Sequence, residues 1–296
     1  MKKSAVLTLS AIIFALVFSS CSATSKIKVN GSKIDSEVYT YFESAHDGSL
    51  DGDELENAVK SDISRYVAVN SEFSNRSLTL SVPQKAELSQ TVNDLWHLYG
   101  SYYEGKGVSK QTVYKIEQSK QYEKALLADY YGENGVSPVA EDDIKAFFSE
   151  NYAAIRFVTG YLFNIDDNGA AVDMTDEQRL NTVESFNSAA SMVNNGTKIE
   201  EAVGSLGNSV EVRDGIINSF TDGSFPTGFF AQVQKIDSGK ASAVVLGNYV
   251  FLVLREDVFS ETYGYYSTYR GECLERMKGE EFSAIVDEWA KNYIAE

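Results

Sequence analysis

The spacing of apolar residues predicts that the first half of the chain is mostly helical. Between residues 34 and 152, apolar positions recur every three or four residues, as they do on one face of an α-helix. One stretch carries apolar residues at steps of four: Leu55, Val59, Ile63 and Val67. No segment in this half alternates between apolar and polar residues as a half-buried strand would. We therefore expect several amphipathic helices that bury one face each.

The pattern changes near residue 154. Residues 155–163 alternate and predict a strand, and Thr175-Asp176-Glu177-Gln178 has the spacing of a capping box that begins a helix. Two later apolar segments joined by Gly247-Asn248 predict a β-hairpin. From Glu261 onward the helical spacing returns. The predicted fold class is therefore α+β, with a discontinuous helical domain and an α+β module inserted between its parts.

These changes in pattern divide the chain into five segments. They are a signal peptide (1–20), a tether (21–26), a helical domain (27–153), the α+β module (154–258) and C-terminal helices (259–296). The last segment is amphipathic and too short to fold alone, so we expect it to complete the helical domain by packing against the N-terminal helices.

The N-terminal residues have the features of an export signal. A basic start, Met1-Lys2-Lys3, precedes an apolar run over residues 5–18 that is too short to span a bilayer comfortably. The run ends in Phe18-Ser19-Ser20-Cys21, which resembles the lipobox of bacterial lipoproteins, where the cysteine becomes the lipidated N-terminus. This predicts an extracytoplasmic protein that Cys21 anchors to the cell membrane. The alternative is an ordinary cleaved signal in which Cys21 is incidental.

Charge and composition exclude several classes of function. The 296 residues include 43 acidic and 26 basic side chains, a net charge of -17, which disfavours binding to nucleic acid. Two histidines, His46 and His97, and two cysteines do not form a usual zinc site, so we predict no metal and no cofactor. Residues 47–58 match part of an EF-hand loop, but Ala58 stands where a calcium-binding glutamate is needed. An acidic loop between two helices is the favoured interpretation.

Short motifs in a fixed order resemble one family over nearly the whole mature chain. They are Val29-Asn30-Gly31-x-x-Ile34, Gly107-Val108-Ser109 before a helix, and the acidic helical stretch from Glu141 to Tyr152. Together they resemble the extracytoplasmic foldases of the SurA and PrsA type, which combine a helical chaperone domain with a parvulin module. The resemblance implies that this chain binds unfolded or secreted polypeptides, including proline-containing ones, and that residues 154–258 form a parvulin-like module.

The resemblance also implies a site within that module. The stretch from Phe157 to Phe163 is similar to the first parvulin strand, and Gly247 to Phe251 is similar to the final one. Phe225 and Phe229 match residues that form the wall of the proline pocket in that family. They could equally be ordinary core residues.

The chain departs from active parvulins at two positions. Those enzymes carry one histidine in the first strand and another in the last, whereas this sequence has Tyr161 and Tyr249. Asp214 could fill a third polar position between them. Two replacements in one hydrogen-bonded network favour a chaperone whose isomerase module is weak or inactive. The alternative is an active peptidyl-prolyl cis-trans isomerase that uses Tyr161 and Tyr249, since a phenol can also donate a hydrogen bond.

The aromatic content is compatible with chaperone function. The chain has 18 tyrosines, 16 phenylalanines and 2 tryptophans, and tyrosine suits sequence-tolerant binding because its large ring has a polar tip. The alternative is that these rings fill the seams between helices. Cys273 lies in a helical pattern with no histidine near it in the sequence, so we expect it to be buried and unreactive.

Overall fold

The structure is a computed structural model that describes residues 27–206, 211–221 and 223–295. The predicted signal peptide, the tether and Cys21 lie outside the described residues. The described chain forms two compact units, one made of residues 27–127 together with 279–295 and the other of residues 128–278. No helix in the described ranges has the length and apolarity that a membrane crossing requires.

The first unit is helical apart from a short hairpin. Its elements are β1 (Lys28–Val29), β2 (Ser32–Lys33), α1 (Ser36–Ala45), α2 (Gly52–Asn75), α3 (Val82–Gly105), most of α4 (Lys110–Tyr131) and the end of α9 (Tyr265–Ala290). The predicted apolar face of α2 is confirmed, because Val59 and Ile63 are fully buried. They pack with Ile27 and Val29 of the N-terminal segment and with Ala295.

The C-terminal residues complete this first unit. Val29 forms a β-bridge with Ala295. The guanidinium of Arg65 donates to the main-chain oxygen of Ser283 at 3.3 Å and to Glu123 at 2.5 Å, and it pairs with Asp287. The two ends of the described chain therefore share one core, and the charged cluster of Arg65 joins α2 and α4 to the end of α9.

The second unit is an α+β domain. Its elements are the start of α9, α5 (Glu141–Asn151), β3 (Tyr152–Tyr161), β4 (Phe163–Ile165), β5 (Ala171–Asp173), α6 (Asp176–Asn194), α7 (Ile199–Ala202), β6 (Arg213–Asn218), α8 (Phe229–Val233), β7 (Ala241–Leu246) and β8 (Tyr249–Arg255). Four strands form an antiparallel sheet in the order β6-β3-β8-β7. The α+β class and the β7–β8 hairpin are confirmed, whereas β6 was not predicted because it lies in a glycine-rich stretch.

Each face of this sheet buries its own core. Side chains alternate along β3 and β8, so Val158 and Leu252 pack on the side of α6, against Phe186. Ile155 and Val253 point to the other side, which α8 covers. We call the two sides the α6 face and the α8 face.

Candidate functional site

The two tyrosines that the sequence analysis predicts to form the site, Tyr161 and Tyr249, lie directly opposite each other. Tyr161 ends β3 and Tyr249 begins β8, and the antiparallel register pairs them. Their ring centroids are 5.8 Å apart at an interplanar angle of 55°. Tyr161 is 53% exposed and Tyr249 is 38% exposed, so both rings are open to a ligand. One more hydrogen bond stabilises the pairing at this end of β3 and β8, because the Leu162 N–H donates to the main-chain oxygen of Asn248 at 2.8 Å.

Further rings extend this pair in both directions. The Phe163 ring lies 5.1 Å from that of Tyr161, and Phe251 stacks against Tyr249 at 6.0 Å and 23°. Phe251 is buried, whereas Tyr161 and Tyr249 are the exposed end of the row. The row therefore runs from solvent into the core on the α8 face.

Phe225 and Phe229 stand at the buried end of the row. Their rings are parallel, 4.2 Å apart, and Phe229 lies 4.8 Å from Phe251. Phe157 packs edge-on against Phe225 at 5.0 Å. Phe229 is only 2% exposed and belongs to the core, while Phe225 is half-buried and keeps part of its ring accessible. Phe225 is therefore better placed than Phe229 to contact the ring of a bound proline.

We refer to these seven rings as the aromatic row. Its members are Phe157, Tyr161, Phe163, Phe225, Phe229, Tyr249 and Phe251. Phe157, Phe163 and Phe251 are not among the site residues predicted from the sequence. A usable signal was present, since Phe251 follows Tyr249 by two residues and Phe157 precedes Tyr161 by four, spacings that keep side chains on one face of a strand.

Asp214 does not belong to this site. It pairs with Arg156 across β3 and β6, and cross-strand neighbours project to the same face. Arg156 bonds to Glu200 of α7, which packs on the α6 face, so Asp214 projects to that face as well. The suggestion that Asp214 supplies a third polar group beside the tyrosines is therefore wrong, because the register of β6 turns it away. Thr159 is the polar residue between Phe157 and Tyr161 on the α8 face.

Both histidines lie in the first unit. His46 follows α1, where its Nε2 is 2.8 Å from a carboxylate oxygen of Asp62, and His97 is exposed on α3. The second unit therefore contains no histidine that could act in place of Tyr161 and Tyr249.

The acidic segment that partly matches an EF-hand is a loop between α1 and α2. Asp47 there accepts a hydrogen bond from the hydroxyl of Tyr102 at 3.2 Å and pairs with Lys106, and this lysine keeps the pKa of Asp47 below its usual value. Across the described ranges, no group of three or more histidine, cysteine, aspartate or glutamate side chains could hold a metal ion.

Cys273 is fully buried in α9. Desolvation raises the pKa of its thiol to about 11, so the thiol is protonated at neutral pH and is a poor nucleophile. The expectation of a buried cysteine is confirmed.

Some tyrosines of the first unit pack between helices, and others lie on the surface. Tyr103 stacks between Tyr41, at 5.7 Å, and Trp96, at 6.4 Å, and so fills a seam between helices. On α3, Tyr99 is 52% exposed, and Leu98 beside it is 68% exposed. Tyr102, one turn further along α3, is 45% exposed. The first unit thus has an exposed apolar strip on α3, formed by Leu98, Tyr99 and Tyr102.

Comparison with known proteins finds no family model and no curated protein that matches the chain. Solved structures with similarity to it include the foldase protein PrsA from Lactococcus lactis, at 14% identity and a TM-score of 0.41, over 91% of this chain and 93% of that one. PrsA from Streptococcus pneumoniae has 10% identity and a TM-score of 0.44, over 89% and 91% of the two chains. PrsA from Bacillus subtilis has 14% identity and a TM-score of 0.34, over 80% and 82%. Over most of its length, this chain is thus similar to solved foldases of the PrsA type, which the motifs in its sequence also resemble.

Proposed function

We propose that this protein is an extracytoplasmic chaperone of the foldase type, which binds unfolded or secreted polypeptides and whose parvulin-like module has little or no isomerase activity. One observation carries the proposal. Tyr161 and Tyr249 form an exposed, directly opposed pair that continues into a row of phenylalanine rings. Exposed aromatic rings with polar tips bind many sequences with large contact area, and they suit proline rings in particular.

The same pair argues against efficient catalysis. Rotation about a prolyl bond makes and breaks no covalent bond, but it must cross a barrier of about 18–20 kcal/mol set by amide resonance. A catalyst has to stabilise the twisted amide more than the planar one, and this requires polar groups placed around it. In place of two imidazoles the site offers two phenols that are partly exposed to water, and Asp214 projects to the opposite face of the sheet. Binding without turnover is what this arrangement favours.

The exposed strip on α3 supports a chaperone role independently. Leu98, Tyr99 and Tyr102 place two aromatic rings and an aliphatic side chain on the surface of one helix. Exposed apolar side chains that lie close together on one helix are candidates for a contact with a partner. We propose that it is a second contact region for unfolded clients.

The experiment that tests the proposal separates binding from catalysis. The purified protein should suppress aggregation of an unfolded model client, yet it should not accelerate refolding of a protein limited by one prolyl bond. A double variant, Tyr161→Phe with Tyr249→Phe, keeps the rings and should retain suppression. The matched double variant, Tyr161→Ser with Tyr249→Ser, removes the rings and should weaken suppression clearly.

The alternative function gives a different result in the same assays. If the tyrosine hydroxyls catalyse isomerisation, the unmodified protein accelerates the proline-limited refolding and the Phe double variant loses that acceleration. Strong acceleration of this kind would overturn the inactive-module proposal and establish an isomerase. Absence of both suppression and acceleration would contradict the foldase proposal as a whole.

We also propose that Cys21 carries a lipid anchor that holds the protein at the outer side of the cell membrane, on the basis of the lipobox-like Phe18-Ser19-Ser20-Cys21. Mass spectrometry of the mature N-terminus tests this directly. A Cys21→Ser variant should be released from membranes into the soluble fraction. Unchanged membrane association of that variant would contradict the anchor.

A further inference from the structure

We propose that the outer edge of β7 binds an extended segment of an unfolded client by adding it to the sheet as a further strand. The inference deepens the proposed chaperone function and rests on it, because it names where main-chain recognition of a client takes place. It concerns a surface other than the exposed tyrosine pair.

Strand β7 directs alternate main-chain groups away from the sheet. In the described part of the chain, β7 is the last strand of the sheet and pairs only with β8. The N–H of Arg255 donates to the oxygen of Lys240 at 3.0 Å, so Lys240 faces β8. Main-chain groups alternate between the two sides of a strand, and Ala241, Ala243 and Val245 therefore point away from the sheet.

An internal side chain already occupies the first of these outward positions as a peptide would. The carboxamide of Asn194, at the end of α6, donates to the oxygen of Ala241 at 2.9 Å and accepts from its N–H at 2.8 Å. A carboxamide carries the same donor and acceptor as a peptide group. This bidentate contact identifies the outward side of β7 as a surface that accepts an amide, and it leaves the groups of Ala243 and Val245 beyond it.

The rest of the edge lacks the usual protection. Natural sheets block free edges with charges, prolines or bulges because unpaired strand edges recruit other strands. The sequence Ala241-Ser242-Ala243-Val244-Val245-Leu246 has no charge and no proline. Its β-branched residues favour an extended strand, and Val245 is 43% exposed. The edge therefore offers outward main-chain donors and acceptors on an apolar strand, where the oxygen of Ala243 accepts one long hydrogen bond, from the Ser242 hydroxyl at 3.4 Å.

A cavity of about 360 Å³ runs beside this edge. Residues 241–245 line one side, and Gln232, Lys235, Ile236 and Asp237 from the end of α8 and the turn after it line the other. An extended chain placed along β7 would set alternate side chains into this space, while its main chain pairs with the strand. Such pairing recognises the main-chain N–H and C=O groups of a client and does not depend on its side chains. A chaperone that binds many different clients requires recognition of this kind.

The charges around the cavity select the occupant. Lys235 and Lys240 line it together with one acid, Asp237, whereas the whole chain has 43 acidic and 26 basic residues. The cavity is thus a locally basic place on an acidic protein, and it fits a client segment that has a carboxylate near its end. A second copy of this chain is a poorer occupant, because each copy brings a net charge of -17 and the two would repel each other.

The test uses a fluorescein-labelled peptide of alternating leucine and threonine residues with aspartate at one end. Fluorescence anisotropy measures its binding to the purified protein and to two variants. Val245→Pro removes one outward N–H at an edge position, where proline is tolerated, and should weaken binding about tenfold. Val245→Thr keeps the main-chain donor and a β-branched side chain, so it should bind as tightly as the unmodified protein.

A pair of modified peptides provides a readout that does not depend on any variant folding. In one peptide the main-chain nitrogens are methylated at odd positions and in the other at even positions. Only one of these sets faces β7 in a given strand orientation, so one peptide should lose binding and the other should keep it. Equal binding of both peptides would overturn strand addition.

The remaining outcomes separate this inference from the function on which it rests. If the unmodified peptide binds, but Val245→Pro and both methylated peptides bind equally well, the edge inference fails and client binding stands. If the unmodified peptide does not bind and aggregation is not suppressed, the chaperone proposal itself fails. If light scattering finds a dimer that Val245→Pro converts to a monomer, a second copy occupies the edge and the client inference is overturned.

Discussion

Replacing Phe225 and Phe229 separately by alanine distinguishes a core ring from a ring that is free to contact a ligand. The rings stack at 4.2 Å, yet Phe229 is 2% exposed and Phe225 is half-buried. Removal of a fully buried phenylalanine costs about 3–5 kcal/mol, because burial is lost and a cavity remains. Phe225→Ala loses only part of that burial together with one aromatic stack, so we expect about 1–2 kcal/mol.

Urea unfolding, followed by circular dichroism, measures these changes in the free energy of unfolding. With a denaturant slope of about 2–3 kcal/mol per M, Phe229→Ala should lower the midpoint by about 1–2.5 M and Phe225→Ala by about 0.3–1 M. Leu98→Ala is a control of similar chemistry, because Leu98 is 68% exposed and its truncation should change stability by less than about 0.5 kcal/mol. Folded Phe225→Ala should also bind a proline-containing peptide more weakly than the unmodified protein.

Two results would refute this reasoning. Equal losses of stability for Phe225→Ala and Phe229→Ala would mean that Phe225 is a core residue like its neighbour. Unchanged affinity of Phe225→Ala for the proline-containing peptide would mean that the exposed part of this ring contacts no client.

Three further predictions concern packing and charge. A Cβ atom on Gly160 would lie 2.5 Å from the ring of Phe186, so Gly160→Ala should destabilise the second unit by about 1–3 kcal/mol. The smaller side chain of Phe186→Leu should restore part of that loss, and a double-mutant cycle followed by thermal unfolding measures the restored part. Arg65→Met removes the charged bonds to the C-terminal residues and should cost about 1–2 kcal/mol, with a smaller effect in high salt, as urea titrations at two ionic strengths would measure. Hydrogen bonds from Arg270 lower the pKa of Glu141 below its usual 4.5, so its contribution to stability is present above about pH 4.5 and is lost as the pH falls through the folded-state value. The stability difference between the unmodified protein and Glu141→Gln should therefore be up to about 1 kcal/mol at pH 7 and should shrink in acid, and a difference that grows on acidification would contradict the assignment.

Local signals in the sequence were sufficient for many elements. The capping box at Thr175 forms as predicted, since the side chain of Thr175 accepts from the N–H of Gln178 at 3.2 Å and Gln178 accepts in return at 2.9 Å. Gly247 adopts a positive φ of 58°, which suits the tight turn between β7 and β8. In both cases the residues that determine the geometry are close together in the sequence.

Features that depend on distant pairing could not be predicted in the same way. Strand β6 contains Asp214 and Gly215, which are poor strand formers, and it becomes a strand because its main chain pairs with β3. The face on which Asp214 lies follows from that register. A shift of one residue would have turned it toward the tyrosines. The sequence placed Tyr161 and Tyr249 on strands, but their direct opposition depends on how two segments far apart in the chain align.

The bridge between Val29 and Ala295 has a consequence for the order in which the molecule is completed. A chain that emerges residue by residue from a ribosome or an export channel presents residues 128–278 as one uninterrupted stretch, which contains every strand of the four-stranded sheet. The first unit, in contrast, lacks part of its own packing until residues 279–295 arrive. Until those last residues arrive, the nascent chain therefore has an incomplete apolar surface around Val59 and Ile63, and it is exposed to aggregation for that interval.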